Sequence, residues 1–328
     1  MVIPALPMKM AVPFGRSSNA IIQNNVIIGN FAHYAGGGLS YCYGTIQNNA
    51  ITGNSGCGLR YCNGKIQNNI ITENSTGGLI NCDGIIQNNT ITGNSSNQGQ
   101  GGGLAGCDGT IQNNAIIGNF AYDGGGLGCC NGIIQNNIIT GNSAAFGGGL
   151  YSCNGKIQNN VIIGNSSSRY GSGFCDCNGI IRNCIIWGNS KEQLYSSAIP
   201  SYSCIQGWSG GGTGNINLDP QFVDPATNNY HLKSTSPCID AGCLIVGLTK
   251  DFEGNARPFN GTTKPRGDGS DYDIGAYEYN ICTLDNHEIS NYLLGKTSPP
   301  QEIVQQMDVN NDGKIDIADV VYFILHKK

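Results

Sequence analysis

A mainly β fold of stacked coils, a solenoid, is predicted by three observations. The tetrad Ile-Gln-Asn-Asn recurs with Gln23, Gln47, Gln67, Gln87, Gln112, Gln135 and Gln158, and an eighth copy carries Arg182. The steps between copies are 24, 20, 20, 25, 23, 23 and 24 residues, too long for one strand and too short for a helix pair. Glycine supplies 50 of the 328 residues and asparagine 41, which suits tight bends between short strands.

Aligned copies form columns. Isoleucine precedes the Gln in every copy (Ile22 through Ile181) and stands again four residues after it (Ile27 through Ile186). Asparagine follows directly (Asn24 through Asn183) and recurs seven places on (Asn30 through Asn189). Glycine sits three before in seven copies, from Gly44 to Gly179, and Leu39, Leu59, Leu79, Leu104, Leu127, Leu150 or Phe174 stands eight before. Each copy therefore reads as three short β segments separated by Gly and Asn bends. A single coil cannot bury its own Ile and Leu, so coils must stack, like over like, at roughly 4.8 Å. Eight coils would make a rod of about 40 Å. Over residues 19–190 the pattern resembles the right-handed parallel β-helix repeat family; the right hand follows from that resemblance and from the crossover rule.

Seven cysteines form one more column, five before the Gln: Cys42, Cys62, Cys82, Cys107, Cys130, Cys153 and Cys177. They read as a stack of small buried hydrophobes rather than a metal ladder, which would want ligands converging from several directions. Of the other cysteines, Cys238 and Cys243 are the pair to test for a disulfide.

Length variation gathers at one corner, between the second Asn and the Leu, where the loops hold 8, 4, 4, 9, 7, 7 and 8 residues. Insertions confined to one face of a solenoid mark a binding side. The longer loops carry Phe31, His33 and Tyr34, then Phe120 and Tyr122, Phe146, and Arg169 with Tyr170. Such a ledge suits stacking on sugar rings, so Phe31, Tyr34, Phe120, Tyr122, Phe146 and Tyr170 are the expected ligand-binding residues. The competing reading is that they cover the glycine-rich strand beneath.

Acids are scarce in the repeats: Glu73, Asp83, Asp108, Asp123 and Asp176. Asp83 and Asp108 share a column on adjacent coils, at a spacing that fits a retaining glycosidase pair or a calcium site. The same column holds Tyr43, Asn63, Asn131, Asn154 and Asn178, which marks it as an exposed turn. These two are weak catalytic candidates, and no convincing catalytic constellation stands elsewhere. Were the chain an enzyme, the repeat fold would point to a polysaccharide lyase or an O-glycosyl hydrolase.

The remaining 17 of 22 acids lie beyond residue 190, where the period stops. Asp219-Pro-Gln-Phe-Val-Asp-Pro, Tyr230-His-Leu, Ser236-Pro-Cys-Ile-Asp-Ala-Gly and Asp273-Ile-Gly-Ala-Tyr-Glu278 follow in order. That succession resembles the choice-of-anchor Q domain, which follows β-helices in bacterial surface and secreted proteins. A segment in this place is expected to cap the open end of the last coil. Its acids Asp240, Asp251, Asp271, Asp273 and Glu278 are candidates to bind an ion or Arg257, and capping with internal salt bridges is the expected role.

Residues 308–319 match a twelve-residue calcium loop: Asp308, Asn310, Asp312 and Asp316 offer side-chain oxygens, Lys314 its carbonyl and Asp319 the twelfth position. Gly313 falls at the sharp turn. With Asp in the last place and a helix beginning inside the loop, the segment resembles a dockerin repeat. The resemblance implies a cohesin-like partner module, or else internal docking or attachment. The preceding Thr283–Gly295 stretch resembles the first dockerin helix without its regular oxygens, so one Ca2+ is expected.

The expected organisation is an irregular segment 1–18, repeats over 19–190, a capping region 191–280 and a calcium-binding module 281–328. With 17 Lys and Arg against 22 Asp and Glu, no nucleic-acid surface is expected, and no apolar run is long enough to span a membrane. Pro4, Pro7, Pro13 and Lys9 break any leader-like order at the start, and the chain reads as an N-terminally truncated form of a longer protein. An extracellular or cell-surface protein linked to polysaccharide catabolism, recognising carbohydrate, is the expected function. A lyase or hydrolase and a ligand-free spacer are the alternatives.

Overall fold

A computed structural model describes residues 2–3, 20–262, 266–279, 286–296, 307 and 313–326. The repeats form a parallel β-solenoid of about eight coils. Each coil places one short strand in each of three sheets, all paired parallel. The first sheet stacks the Gln strands from Ile21–Gln23 to Ile180–Arg182, and the second stacks Val26–Ile28 through Ile185–Trp187. The third stacks the Leu strands, with Leu79 over Leu59 and under Leu104. The variable corner contains strands too: Ser95–Gln100, Phe120–Asp123, Ser143–Phe146 and Ser166–Tyr170 make a fourth sheet.

Like stacks on like because each column solves one problem for the backbone. Ile22, Ile46, Ile66 and their successors, with the second Ile column and the Leu column, are buried in one continuous core. The Asn residues after the Gln, from Asn24 to Asn183, have φ between +51° and +58°, the left-handed corner that Asn tolerates. The other two Asn columns are buried and bonded along the axis. Asn119 Oδ1 accepts from Asn94 N at 3.0 Å, and its Nδ2 reaches Ile91 O at 2.9 Å. The same pattern begins at Asn25 and Asn30, whose Oδ1 atoms lack a partner among the described residues. Gln side chains form an outer ladder, each Nε2 donating to the Oε1 before it, as Gln47 does to Gln23 at 2.7 Å.

The seven column cysteines are buried in the core as expected. Their sulfurs also serve a ladder. Cys62 N donates to Cys82 Sγ at 3.4 Å, and the Cys82 thiol donates to Ile80 O at 3.5 Å. An eighth rung replaces sulfur by oxygen: Ser197 Oγ accepts from Cys177 N at 3.1 Å and donates to Tyr195 O. Cys184 closes an Asn column in the same manner, and burial pushes its thiol up to about 12.

Parallel pairing continues past residue 190 through Leu194–Tyr195 and Cys204–Ile205. Leu194, Ala198 and Trp208 pack on the end of the solenoid core. The end is therefore covered by this stretch, which is the first part of the 191–280 region expected to cap it. The later segment of that region packs along the side of the rod. Phe222, Tyr230, Leu232, Ile239 and Ile274 share a core with the outward residues Ile138, Val161 and Ile185 of three successive coils. Corner asparagines fasten it: Asn136 Nδ2 donates to Lys250 O at 2.8 Å and Asn183 Nδ2 to Cys243 O at 2.7 Å.

Within the segment Arg257 Nε meets Glu278 Oε2 at 2.6 Å, both side chains fully buried. Glu278 Oε1 accepts from Phe259 N, Asp251 from the amides of Glu253, Asn255 and Glu278, and Asp240 from Gly261 N. Asp273 accepts from Asp240 N at 2.7 Å and from Tyr279 N. Burial, with the Glu278 charge beside it, holds the Asp273 carboxyl well above its ordinary range. Cys238 and Cys243 are not bonded to each other: Cys243 Sγ donates to Asn183 Oδ1 at 3.2 Å, and the Cys238 thiol meets Cys204. Two helices, α1 (Asn286–Leu293) and α2 (Ile317–His326), close the described chain. Among the described residues no helix is long and apolar enough to cross a membrane.

Candidate functional site

The fourth sheet builds a groove because side-chain size drops abruptly from coil to coil. Strands expose alternate residues, so Phe120 and Tyr122 point outward from one coil, flanking buried Ala121. Register places Ser143 beside Phe120, and Ser166 beside Ser143. Two bulky rings therefore stand next to two coils of small residues. The resulting groove, about 540 Å³, is lined by Phe120 and Tyr122 at one end, by Ser143, Ala145, Ser166 and Ser168 along it, and by Arg169. Asn97 of the preceding coil completes the aromatic end.

Beside the groove a line of rings runs parallel to the rod axis. Asp123, Phe146 and Tyr170 are register partners. Ring centroids are 6.1 Å apart from Tyr122 to Phe146, 6.0 Å from Phe146 to Tyr170, and 4.5 Å from Tyr170 to Tyr195, the last pair stacked. Arg169 lies over Phe146 at 5.3 Å. Four of the six predicted aromatics, Phe120, Tyr122, Phe146 and Tyr170, are thus brought together. Phe31 is exposed but pairs with Ser55 in the first coils, away from the groove. The side chain of Tyr34 lies outside the described residues. Sequence reasoning missed Tyr195, because it falls after the period breaks, and missed the serine floor, because Ser143 and Ser166 conform to a column that is mostly serine.

Asp83 and Asp108 occupy an exposed ladder at another corner. Asp83 Oδ1 accepts from Asp108 N at 3.0 Å, and Asp108 Oδ1 from Asn131 N at 2.7 Å. Asn131 and Asn154 continue the chain of bonds to Asn154 N and Asn178 N. Each carboxylate performs what asparagine performs in the neighbouring coils, accepting the next coil's amide. Among the acids of the repeats, Asp123 has a shifted carboxyl. Burial first, then the Asp176 charge, raises the Asp123 carboxyl, and both charges act on Tyr151, whose hydroxyl is raised chiefly by burial.

Of the calcium-loop residues, Asp308, Asn310 and Asp312 lie outside the described residues. Gly313 has φ +83°, the left-handed conformation that a sharp turn at this position demands. Asp316 and Asp319 cap α2 reciprocally: Asp316 Oδ1 accepts from Ala318 N at 2.7 Å and Asp319 Oδ2 from Asp316 N at 2.9 Å. These hard carboxylate oxygens, with the Lys314 carbonyl, are the donor type that calcium selects. Among the described residues no group of three or more His, Cys, Asp and Glu is arranged to hold a metal ion.

No protein-family model and no curated protein matches this chain. Among solved structures, the complex of XylC with xylose matches at 14% identity and a TM-score of 0.34, over 76% of this chain and 51% of that one. The chain therefore spans about half the length of that structure.

Proposed function

We propose that the chain is a carbohydrate-recognition module of an extracellular or cell-surface protein, with the fourth-sheet groove as its binding face. The observation that carries this reading is the step in side-chain size, with Phe120 and Tyr122 exposed beside a floor of hydroxyls. Aromatic faces offer apolar area for the C–H surface of a pyranose ring, and Ser143, Ser166, Ser168 and Asn97 supply hydrogen bonds to its hydroxyls. A groove whose lining crosses the successive coils of Phe120, Ser143 and Ser166 accommodates a chain rather than a lone sugar. Linkage to polysaccharide catabolism, with a cell-surface or polymeric glycan as partner, belongs to the same reading.

The test is pull-down on plant, algal and microbial polysaccharides, with new reducing ends and ultraviolet-absorbing unsaturated sugars measured alongside. Binding that Phe120→Ala and Tyr122→Ala each weaken by about tenfold or more is expected, about 1.4 kcal/mol per tenfold. Binding unchanged in both variants removes the groove from the reading. Cleavage would make the chain a lyase or hydrolase, and neither binding nor cleavage would leave it a structural spacer.

The C-terminal tail extends the proposal. Asp308, Asn310, Asp312, Asp316 and Asp319, with the Lys314 carbonyl, would hold one Ca2+, which supplies a positive centre that draws the loop's oxygens together ahead of α2. The dockerin-like reading assigns this element to docking or attachment, through a cohesin-like module or within the chain.

A further inference from the structure

We propose that the groove selects an anionic saccharide, one bearing carboxylate or sulfate groups, and that Arg169 is the residue that reads the charge; this deepens the carbohydrate reading and rests on it. Arg169 is the one residue of the lining that is charged at neutral pH. It is exposed and makes no ion pair among the described residues. Its guanidinium is oriented by the Phe146 ring, 5.3 Å from the centroid. Stacking of this kind leaves the planar fork of N–H donors free at its edge, the geometry that matches carboxylate and sulfate oxygens in pairs.

The strand end that carries Arg169 is held by a second cation outside the lining. Lys191 Nζ donates to Ser168 O at 2.6 Å and to Arg169 O at 3.2 Å, fixing the strand end that carries Arg169. The acids of this corner are placed otherwise: Asp123, Asp176 and Glu192 are absent from the lining. Glu192 accepts from Gly171 N, and the other two act on Tyr151. The groove thus has an aromatic end, a neutral hydroxyl floor and a cationic rim. A ligand that fits all three has a sugar face for Phe120 and Tyr122 and an anionic substituent one or two residues along the chain.

Titration calorimetry of the full chain with an oligouronide, its methyl-esterified form, a sulfated oligosaccharide, a neutral oligosaccharide and inorganic polyphosphate tests this. The oligouronide or the sulfated ligand is expected to bind about ten- to a hundredfold tighter than its neutral counterpart, the range of a charge-assisted pair. Whichever anion leads identifies the substituent. Arg169→Gln should weaken the charged ligand more than the neutral one and so erase the preference, and Arg169→Lys should restore only part of it. Equal binding of charged and neutral forms, or a preference that survives Arg169→Gln, overturns the proposal and leaves the carbohydrate groove standing. Polyphosphate binding as tight as the charged sugars, insensitive to Phe120→Ala, also overturns it, as bare electrostatic attraction. No binding by any saccharide overturns the carbohydrate reading itself. Because Arg169 is exposed, an unchanged circular-dichroism melt shows that its variants fold.

Discussion

Replacing Asn119 by alanine should cost about 3 kcal/mol, and the number follows from four bonds. Asn119 is fully buried. Its Oδ1 accepts from Asn94 N and Asn94 Nδ2, both at 3.0 Å, and its Nδ2 donates to Ile91 O at 2.9 Å and Asn142 Oδ1 at 3.0 Å. Alanine leaves the Asn94 amide without a partner in a dry core, worth about 1–3 kcal/mol. The other groups keep further partners: Asn94 Nδ2 retains Ile71 O and Thr92 O, Asn142 Oδ1 retains Asn119 N, and Ile91 remains in the parallel ladder beside Ile116. Their losses should be near the low end, roughly 0.5 kcal/mol each. Asn63→Ala is the control, since its Oδ1 accepts from Asp83 N at an exposed corner where water can substitute; about 0.5 kcal/mol or less is expected. Urea unfolding followed by circular dichroism reads both. Hydrogen exchange should show the loss around Asn94 and Asn119 and spare the distant coils, because a solenoid's contacts are between neighbours. Asn119→Asp adds a sign. It keeps the acceptor but loses the donor, so its buried carboxyl should have a raised pKa. The penalty should therefore be absent below the unfolded value of about 3.9 and grow as pH rises toward the folded one. Equal costs for Asn119→Ala and Asn63→Ala would refute the claim that the internal ladder satisfies the coils' amides.

Arg257→Met should destabilise the lateral segment by about 3–5 kcal/mol, because it leaves Glu278 buried without its cation; a change under about 1 kcal/mol in thermal or urea unfolding would show that the pair contributes nothing. Asp273 has its folded pKa raised well above the unfolded value, so its cost to stability is largest at high pH and falls on acidification. The melting temperature of the lateral segment should rise between pH 8 and pH 5, and Asp273→Asn should flatten that rise. Calcium should slow amide exchange in α2 of the full chain, and Asp308→Ala should abolish the difference between calcium and chelator. Equal exchange in both would remove the calcium loop from the proposal.

The solenoid was legible because every coil meets the same demand with the same residue. Ile22 and Ile27 fill the core, Asn30 bonds the next coil, and Cys42 does so with sulfur. A column of identical residues is therefore a record of one repeated environment. The lateral docking was not legible, since nothing distinguishes Ile138, Val161 and Ile185 from Val26 or Ile70 in the same column. Yet the first three are buried under the C-terminal segment and the last two are exposed. The missing information was the partner surface, distant in sequence: the Asn183–Cys243 bonds span 60 residues.

The groove lay between these cases. Phe120 and Tyr122 were visible as loop aromatics, but the groove exists only because Ser143 and Ser166 stand beside Phe120 in register. Ser143 and Ser166 conform to a column of serine after the second Asn, so nothing in either marks it, whereas Phe120 breaks that column. Asp83 and Asp108 teach the converse. Their shared column was visible, and it was the column itself, bonding amide to side chain from Asn63 to Asn178, that gives them their structural task. In a solenoid this uniform, a residue that conforms to its column is accounted for by stacking. Chemistry directed outward has to come from residues that break their column, as Phe120, Tyr122 and Arg169 do.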